Sequence, residues 1–188
     1  LLRDLLQFSR VAARLYAINP KHERVQGKPC YPDIEHIGKA VDLAVIATPA
    51  QTVPDIIRQC GEAGMRVAVI LSAGFGESGD AGVLLEKEIL EHARLYDMRI
   101  VGPNCLGILR PQSGLNASFS NRNVLPGRMA FVSQSGALCT AILDWAQSSA
   151  IGFSAIVSLG DAVDVDFGDV LSYLALDPQT SSILLYVE

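Results

Sequence analysis

Met129-Ala130-Phe131-Val132-Ser133-Gln134-Ser135-Gly136-Ala137-Leu138 joins an apolar run to a segment of helical spacing, with two serines and a glycine at the junction. Residues 129–132 read as a buried strand and 137–147 as an amphipathic helix that starts directly after it. A strand followed at once by a helix is the repeating unit of a parallel α/β sheet, in which every strand's carboxyl end opens on one edge. The junction also carries chemistry. First-turn amides of a helix lack intrahelical acceptors and lie at the positive end of its dipole, so Ser133, Gln134, Ser135 and Gly136 form a candidate site for a phosphate or carboxylate. An N-cap role for Ser133 or Ser135 uses the same amides and is compatible with it.

Downstream, a strand at 153–157, a helix at 167–175 and a strand at 182–187 continue the alternation. Upstream, strands at 14–18, 43–47, 67–71 and 99–101 alternate with helices at 53–63 and 82–96. Strands this apolar predict parallel sheets covered by helices on both faces, with ligands at the carboxyl edge. From 102 to 127 the periodicity lapses, and Pro103, Pro111, Gly114, Asn116, Asn121, Asn123 and Pro126 accumulate over a length unusual for a connection. The expected organisation is therefore two domains, 1–120 and 121–188. Leu1-Leu2-Arg3-Asp4-Leu5-Leu6 reads as the interior of an amphipathic helix with no capping residue before it, and the last residue, Glu188, directly follows a strand. Both domains are expected to continue in something longer.

The 188 residues are 49% hydrophobic, enough for one large core or two small ones. A net charge of −5 without a basic cluster gives no electrostatic basis for binding nucleic acid or anionic lipid, so an anion must be held locally by backbone and dipoles. No apolar run reaches the about 18–20 residues of a membrane span, and no signal peptide opens the chain; a cytoplasmic protein is expected. Cys30, Cys60, Cys105 and Cys139 are scattered, and His22, His36 and His92 lack metal-ligand spacing. Reduced thiols and no metal site are the expectation.

Four loops stand at the carboxyl ends of the upstream strands: Asn19-Pro20-Lys21, Thr48-Pro49-Ala50, Ser72-Ala73-Gly74-Phe75-Gly76 and Gly102-Pro103-Asn104-Cys105-Leu106-Gly107. Small, Gly- or Pro-bearing loops let backbone approach an extended ligand, although each alone could simply end a strand. Gly74-Phe75-Gly76-Glu77-Ser78-Gly79 fits a dinucleotide fingerprint, but the following strand ends in Gly102-Pro103 where the ribose-binding acid should stand. A nucleophile elbow at Ser135 would need glycine at 133 and 137. The acids Asp161, Asp164, Asp166 and Asp169 miss calcium-loop spacing, and an N-cap by Asp166 or its neighbours is the simpler reading. Glu188, directly after a buried strand, falls at the ligand edge, where it could orient a histidine or be solvated.

With Gly102–Gly107, Val132–Leu138, Leu143-Asp144-Trp145-Ala146, Ser158-Leu159-Gly160 and Asp177-Pro178-Gln179-Thr180 in this order, the whole chain resembles the NDP-forming (ADP-forming) acyl-CoA synthetases, relatives of the succinyl-CoA synthetase α subunit. The resemblance implies an α/β fold: a Rossmann-like CoA-binding domain, lacking its first strand and phosphate loop, followed by part of a flavodoxin-like parallel α/β domain. It implies that Asn19, Pro20, Lys21, Thr48, Pro49, Ser72, Ala73, Gly74 and Phe75 line the CoA site, with Asn104 and Cys105 near the thioester. Nothing near Cys105 marks it as a nucleophile. In the family, phosphate passes from an acyl phosphate to a histidine and on to a nucleoside diphosphate. The helix opening at Ser133–Gly136 would steady the phosphohistidine, and Glu188 would position it as the catalytic carboxylate. That histidine is absent here, so this chain alone is not expected to turn over. The implied ligands are coenzyme A or acyl-CoA and phosphate, with ATP or ADP and magnesium only through further domains. The implied partners are a CoA thioester and an ATP-grasp domain or subunit, and a homo-oligomer is compatible with them. Protein lysine acetyltransferases carry a similar synthetase-like half, and Gly114-Leu115-Asn116-Ala117-Ser118-Phe119 resembles them too. The alternative is thus an acetyl-CoA-sensing, catalytically inactive regulatory region fused to an acetyltransferase domain.

Overall fold

Eleven strands and four α-helices are seen in the computed structural model, which describes residues 15–122 and 124–188. The expected helix at Leu1–Leu6, the start of the expected strand at Arg14, and Asn123 lie outside the described residues.

The first parallel sheet has the order β4 (Leu43–Ile46), β5 (Val67–Ile70), β6 (Arg99–Val101). Helices α1 (Val53–Glu62) and α2 (Asp80–Leu95) make its crossovers. Pro54 and Asp55 suit the first turn of α1, where the N–H is unpaired anyway and the dipole favours an acid. Its Val53, Ile57 and Cys60 share one face and are buried against Ile70, Ile89 and Ile100. Gly82 in α2 lies so close to the Phe75 carbonyl that any Cβ there would collide with it. The glycine brings the helix down onto the loop after β5.

Strands β1 (Ala17–Ile18), β2 (Arg24–Val25) and β3 (Lys28–Tyr31) form a separate small sheet, in which β1 pairs with β3. The strand expected at 14–18 therefore does not join the first parallel sheet among the described residues.

The second sheet has the order β11-β9-β10-β7-β8. Strands β9 (Pro126–Ser133), β10 (Phe153–Ser158) and β11 (Ser182–Tyr186) run parallel, while the hairpin β7 (Gly107–Arg110) and β8 (Leu115–Ser118) adds antiparallel to β10. By hydrogen bonding this hairpin joins the second sheet, ahead of the expected boundary at Asn121. Helices α3 (Gly136–Ser148) and α4 (Phe167–Ala175) cover opposite faces. Phe131, Phe153 and Ile156 pack with Leu143 and Cys139 on the α3 side, and Val132, Ala155 and Leu159 pack with Val170 and Leu174 on the other. This is the two-sided burial expected of the apolar run at 129–132. Asp166 and Asp169 close α4 with a capping box.

The domains are stitched along β6. Val163 and Val165 donate backbone hydrogen bonds to Gly102 (3.3 Å) and Ile100 (3.1 Å), and the Asp164 carboxylate accepts from the Ile100 amide at 2.7 Å. Arg99 reaches Asp164 (3.2 Å) and Asp169 (2.7 Å). The edge of the first sheet is thus covered by the loop after β10. No described helix is long and apolar enough to cross a membrane.

Candidate functional site

Strand register brings the site together. Ser133 lies opposite Ser158 on β10 and Tyr186 on β11, so the segments that follow these strands emerge at one rim. These are Gln134–Gly136, Gly160-Asp161 and Glu188. On the neighbouring sheet, Ile46 pairs with Ile70 and Val69 with Val101, which sets the loops at 48–50, 72–76 and 102–106 on a second common rim. Asn104, from the last of these loops, reaches across to the other rim, where its Nδ2 meets Asp161. A cavity of about 330 Å³ lies between them, lined by Gln134, Ser135, Gly136 and Glu188 and by Asn104 with its partners Asp161 and Gly160.

The α3 wall of this cavity donates. Ser135 is the N-cap, its hydroxyl accepting from the Leu138 amide at 3.4 Å and its carbonyl from the Cys139 amide at 3.1 Å. Buried Ser133 donates its hydroxyl to the Ser135 carbonyl (3.0 Å) and shapes the turn rather than facing the cavity. Gln134 is held from both ends: its amide donates to the Tyr186 carbonyl (3.2 Å), and its Oε1 accepts from the Glu188 amide (2.8 Å). Among the described residues, no hydrogen bond engages the Gly136 and Ala137 amides, which point along the positive end of the α3 dipole. A Cβ at Gly136 would meet the Leu106 amide at 3.4 Å, ordinary contact distance, so the backbone there runs close under the loop after β6.

The opposite wall accepts. Asn104 Nδ2 donates to Asp161 Oδ1 at 3.2 Å, and the Asp161 amide donates to the Pro103 carbonyl at 3.0 Å. Asp161 Oδ2 is buried without a hydrogen-bond donor. Burial raises the Asp161 carboxyl above its ordinary range; the Asn104 hydrogen bond opposes this, and the Glu77 and Glu86 charges add to it. Gly160 packs against the Pro103 and Asn104 carbonyls with φ +57, a place for glycine alone. Asp161 and Gly160 were not among the residues expected from the sequence as a site. The signal was present, since Ser158-Leu159-Gly160-Asp161 follows β10 at the same rim as Ser133-Gln134-Ser135.

The other expected residues are dispersed along the rim of the first-domain sheet. The Ser72 hydroxyl donates to the Thr48 carbonyl, and the Ser72 carbonyl accepts from the Asn104 amide at 2.9 Å, which ties three of the loops together. Thr48 and Pro49 are exposed beside them, with Thr52 donating to the Thr48 hydroxyl or the Pro49 carbonyl. Ala73 is exposed, and the Gly74 (φ +105) and Phe75 amides both donate to the Glu77 carboxylate, as the Gly76 amide does to Glu86. Burial raises the Glu77 carboxyl, but hydrogen bonds from the Gly74, Glu77 and Phe75 amides outweigh this and hold it below the usual range. The backbone donors expected at Gly74 and Phe75 are thereby engaged within the protein. Asn19 closes a local turn by accepting from the Lys21 amide (2.9 Å), with Pro20 and Lys21 exposed; this loop joins β1 to β2 within the small sheet. Cys105 is buried with Val69, Leu71 and Val101, its thiol donating to the Ile70 carbonyl at 3.3 Å and pushed up to about 12 chiefly by burial. It packs the joint between the domains and is not a thiolate. Among the described residues no group of His, Cys, Asp and Glu is placed to hold a metal ion.

Comparison with known proteins extends these observations. A model described as a CoA binding domain matches residues 2–111, and one described as a succinyl-CoA ligase like flavodoxin domain matches residues 126–188. The chain is similar to acetate--CoA ligase [ADP-forming] I of Archaeoglobus fulgidus, at 44% identity over all of this chain and 27% of that protein. It is similar also to the acetate--CoA ligase [ADP-forming] I subunit alpha of Pyrococcus furiosus, at 38% identity over all of this chain and 41% of that subunit. Among solved structures, the dinucleotide forming acetyl-coenzyme A synthetase 1 of Ca. Korarchaeum cryptofilum, in complex with phosphate and ADP, superposes with a TM-score of 0.93 at 40% identity, covering 100% of this chain and 40% of that one. The chain thus spans between about a quarter and two fifths of the length of these relatives. Two family-specific domains in succession, joined at a rim of strand ends, lead to one conclusion: the chain belongs to the family of NDP-(ADP-)forming acyl-CoA ligases, with a Rossmann-like CoA-binding domain followed by a flavodoxin-like α/β domain.

Proposed function

We propose that this chain supplies the CoA-binding and phosphate-steadying part of a ligase that interconverts an acyl-CoA, ADP and phosphate with the free acid, CoA and ATP. The observation that carries the reading is the cavity in which Asn104 of the first domain meets the α3 amino terminus and Glu188 of the second. Coenzyme A would run along the loops at 48–50 and 72–76, with Asn19, Pro20 and Lys21 at its far end, and present its thioester near Asn104. The free Gly136 and Ala137 amides would hold a phosphoryl group, with Ser133, Gln134 and Ser135 fixing the turn that aims them. A donor wall suits a phosphoryl anion, and an acceptor wall suits the amide N–H groups or free thiol of the coenzyme A arm.

Glu188 would orient the histidine that carries the phosphoryl group between substrates. Its backbone amide donates to Gln134 Oε1, and the residue lines the cavity, which supports this role. Magnesium and the nucleoside diphosphate would come with an ATP-grasp partner. The named relatives are ligases, which supports this reading over a sensing module of an acetyltransferase.

The test is phosphoryl incorporation into the full-length protein from labelled ATP. Glu188→Gln removes a charge-assisted hydrogen bond worth about 1.5–3 kcal/mol, so incorporation should slow by roughly 10- to 100-fold. An unchanged rate would remove Glu188 from the machinery.

A further inference from the structure

Asn104 stands at the meeting of the two rims and is constrained on every side. Its amide donates to the Ser72 carbonyl at 2.9 Å, its own carbonyl lies against Gly160, and its φ of 56° is left-handed. Its side-chain Nδ2 donates to Asp161 Oδ1 at 3.2 Å, while the Asp161 amide donates back to Pro103 at 3.0 Å. The backbone of the two loops is therefore fixed whatever the Asn104 carboxamide does.

A carboxamide has a donor end and an acceptor end of nearly the same shape, so its neighbour decides which end a cavity meets. An ionised carboxylate only accepts. Asp161 thus takes the donor end of Asn104 and leaves Oδ1, which no described hydrogen bond engages, as the end available to the cavity. This comes at a cost, because Asp161 Oδ2 is buried without a donor and the Glu77 and Glu86 carboxylates lie close by. An asparagine at 161 would avoid that charge and could still contact Asn104. It could also offer its own donor end and let the Asn104 amide turn over. What the carboxylate adds is the sense of the hydrogen bond.

We propose that Asp161 is a positioning residue: through Asn104 it makes the first-domain wall of the cavity an acceptor for an N–H or S–H donor of the CoA pantetheine arm, opposite the donor wall at Gly136. This rests on the reading above that a CoA thioester reaches this cavity. No other charged group contacts Asn104 in the described hydrogen bonds.

The experiment is a double-mutant cycle read by calorimetric titration of coenzyme A into the full-length protein: wild type, Asn104→Ala, Asp161→Asn and the pair. Asn104→Ala should weaken binding roughly 3- to 10-fold, the worth of one net hydrogen bond. Asp161→Asn should weaken it measurably but by no more than that, and the pair should bind no worse than Asn104→Ala alone, because both changes remove one contact. If Asn104→Ala weakens binding while Asp161→Asn does not, or if the two effects multiply, the positioning role is overturned and the CoA reading stands. If coenzyme A binds the wild type and Asn104→Ala equally, the CoA reading of this cavity fails instead. Should Asp161→Asn fail to fold, Asp161→Ala takes its place in the same cycle with the same outcomes.

Discussion

Asp161 shows how a single side chain can be costly to the fold and still be placed at the site. Its folded carboxyl titrates above the ordinary 3.8. The native protein therefore holds this proton to higher pH than the unfolded chain does, and stability falls as pH rises from 3.8 through the raised value. At neutral pH the unfavourable contribution is fully present. Asp161→Asn is accordingly expected to raise the melting temperature of the full-length protein at pH 7.5, with the gain shrinking as pH is lowered toward 4. A gain that grew on acidification would contradict the sign. At this scale the sequence was legible in part. An N-cap at Ser133 or Ser135, and one at Asp166 or its neighbours, could be read from residue type and position; the caps are Ser135 and Asp166. That the Glu77 carboxylate would take up the Gly74 and Phe75 amides could not, because a short reach back across a turn leaves no periodic trace.

Elements with one dominant period were the most legible. The expected helix at 167–175 and strand at 99–101 coincide with α4 and β6, where apolar spacing, capping acids and turn residues agree. The hairpin β7–β8 was missed because Gly107, Asn116 and Ser118 interrupt any apolar alternation. The two polar residues are buried by bonding each other, Ser118 donating to Asn116 Oδ1. The short strands at Arg24–Val25 and Lys28–Tyr31 gave too few residues for a pattern. Between elements, β6 and the loop after β10 are the joint that holds both rims. Asp164 accepts from both Arg99 and the part-buried Ile100 amide, so Asp164→Ala leaves that amide without its partner. The expected cost is about 1–3 kcal/mol in denaturant unfolding. The Arg99 pairs alone, largely exposed, would account for less than about 1 kcal/mol, so a loss well below that would show that the backbone contact is not what matters.

At the scale of the molecule, two sheets turn their strand ends toward a common gap. Two series of alternating strands and helices implied both rims, since the crossover rule fixes the carboxyl edge. The gap between them was not legible, because it depends on how the loop at 160–166 lies along β6 and on which of several small loops reaches across. Asn104 does; the Asn19 loop, between β1 and β2 of the small sheet, is tied to Tyr31 instead. In the proposed function, main-chain donors at the α3 amino terminus hold the phosphoryl group in this gap. A crystal structure of the full-length protein grown with phosphate should place the anion about 2.7–3.2 Å from the Gly136 and Ala137 amides. Phosphate bound elsewhere, with water on those two amides, would contradict it.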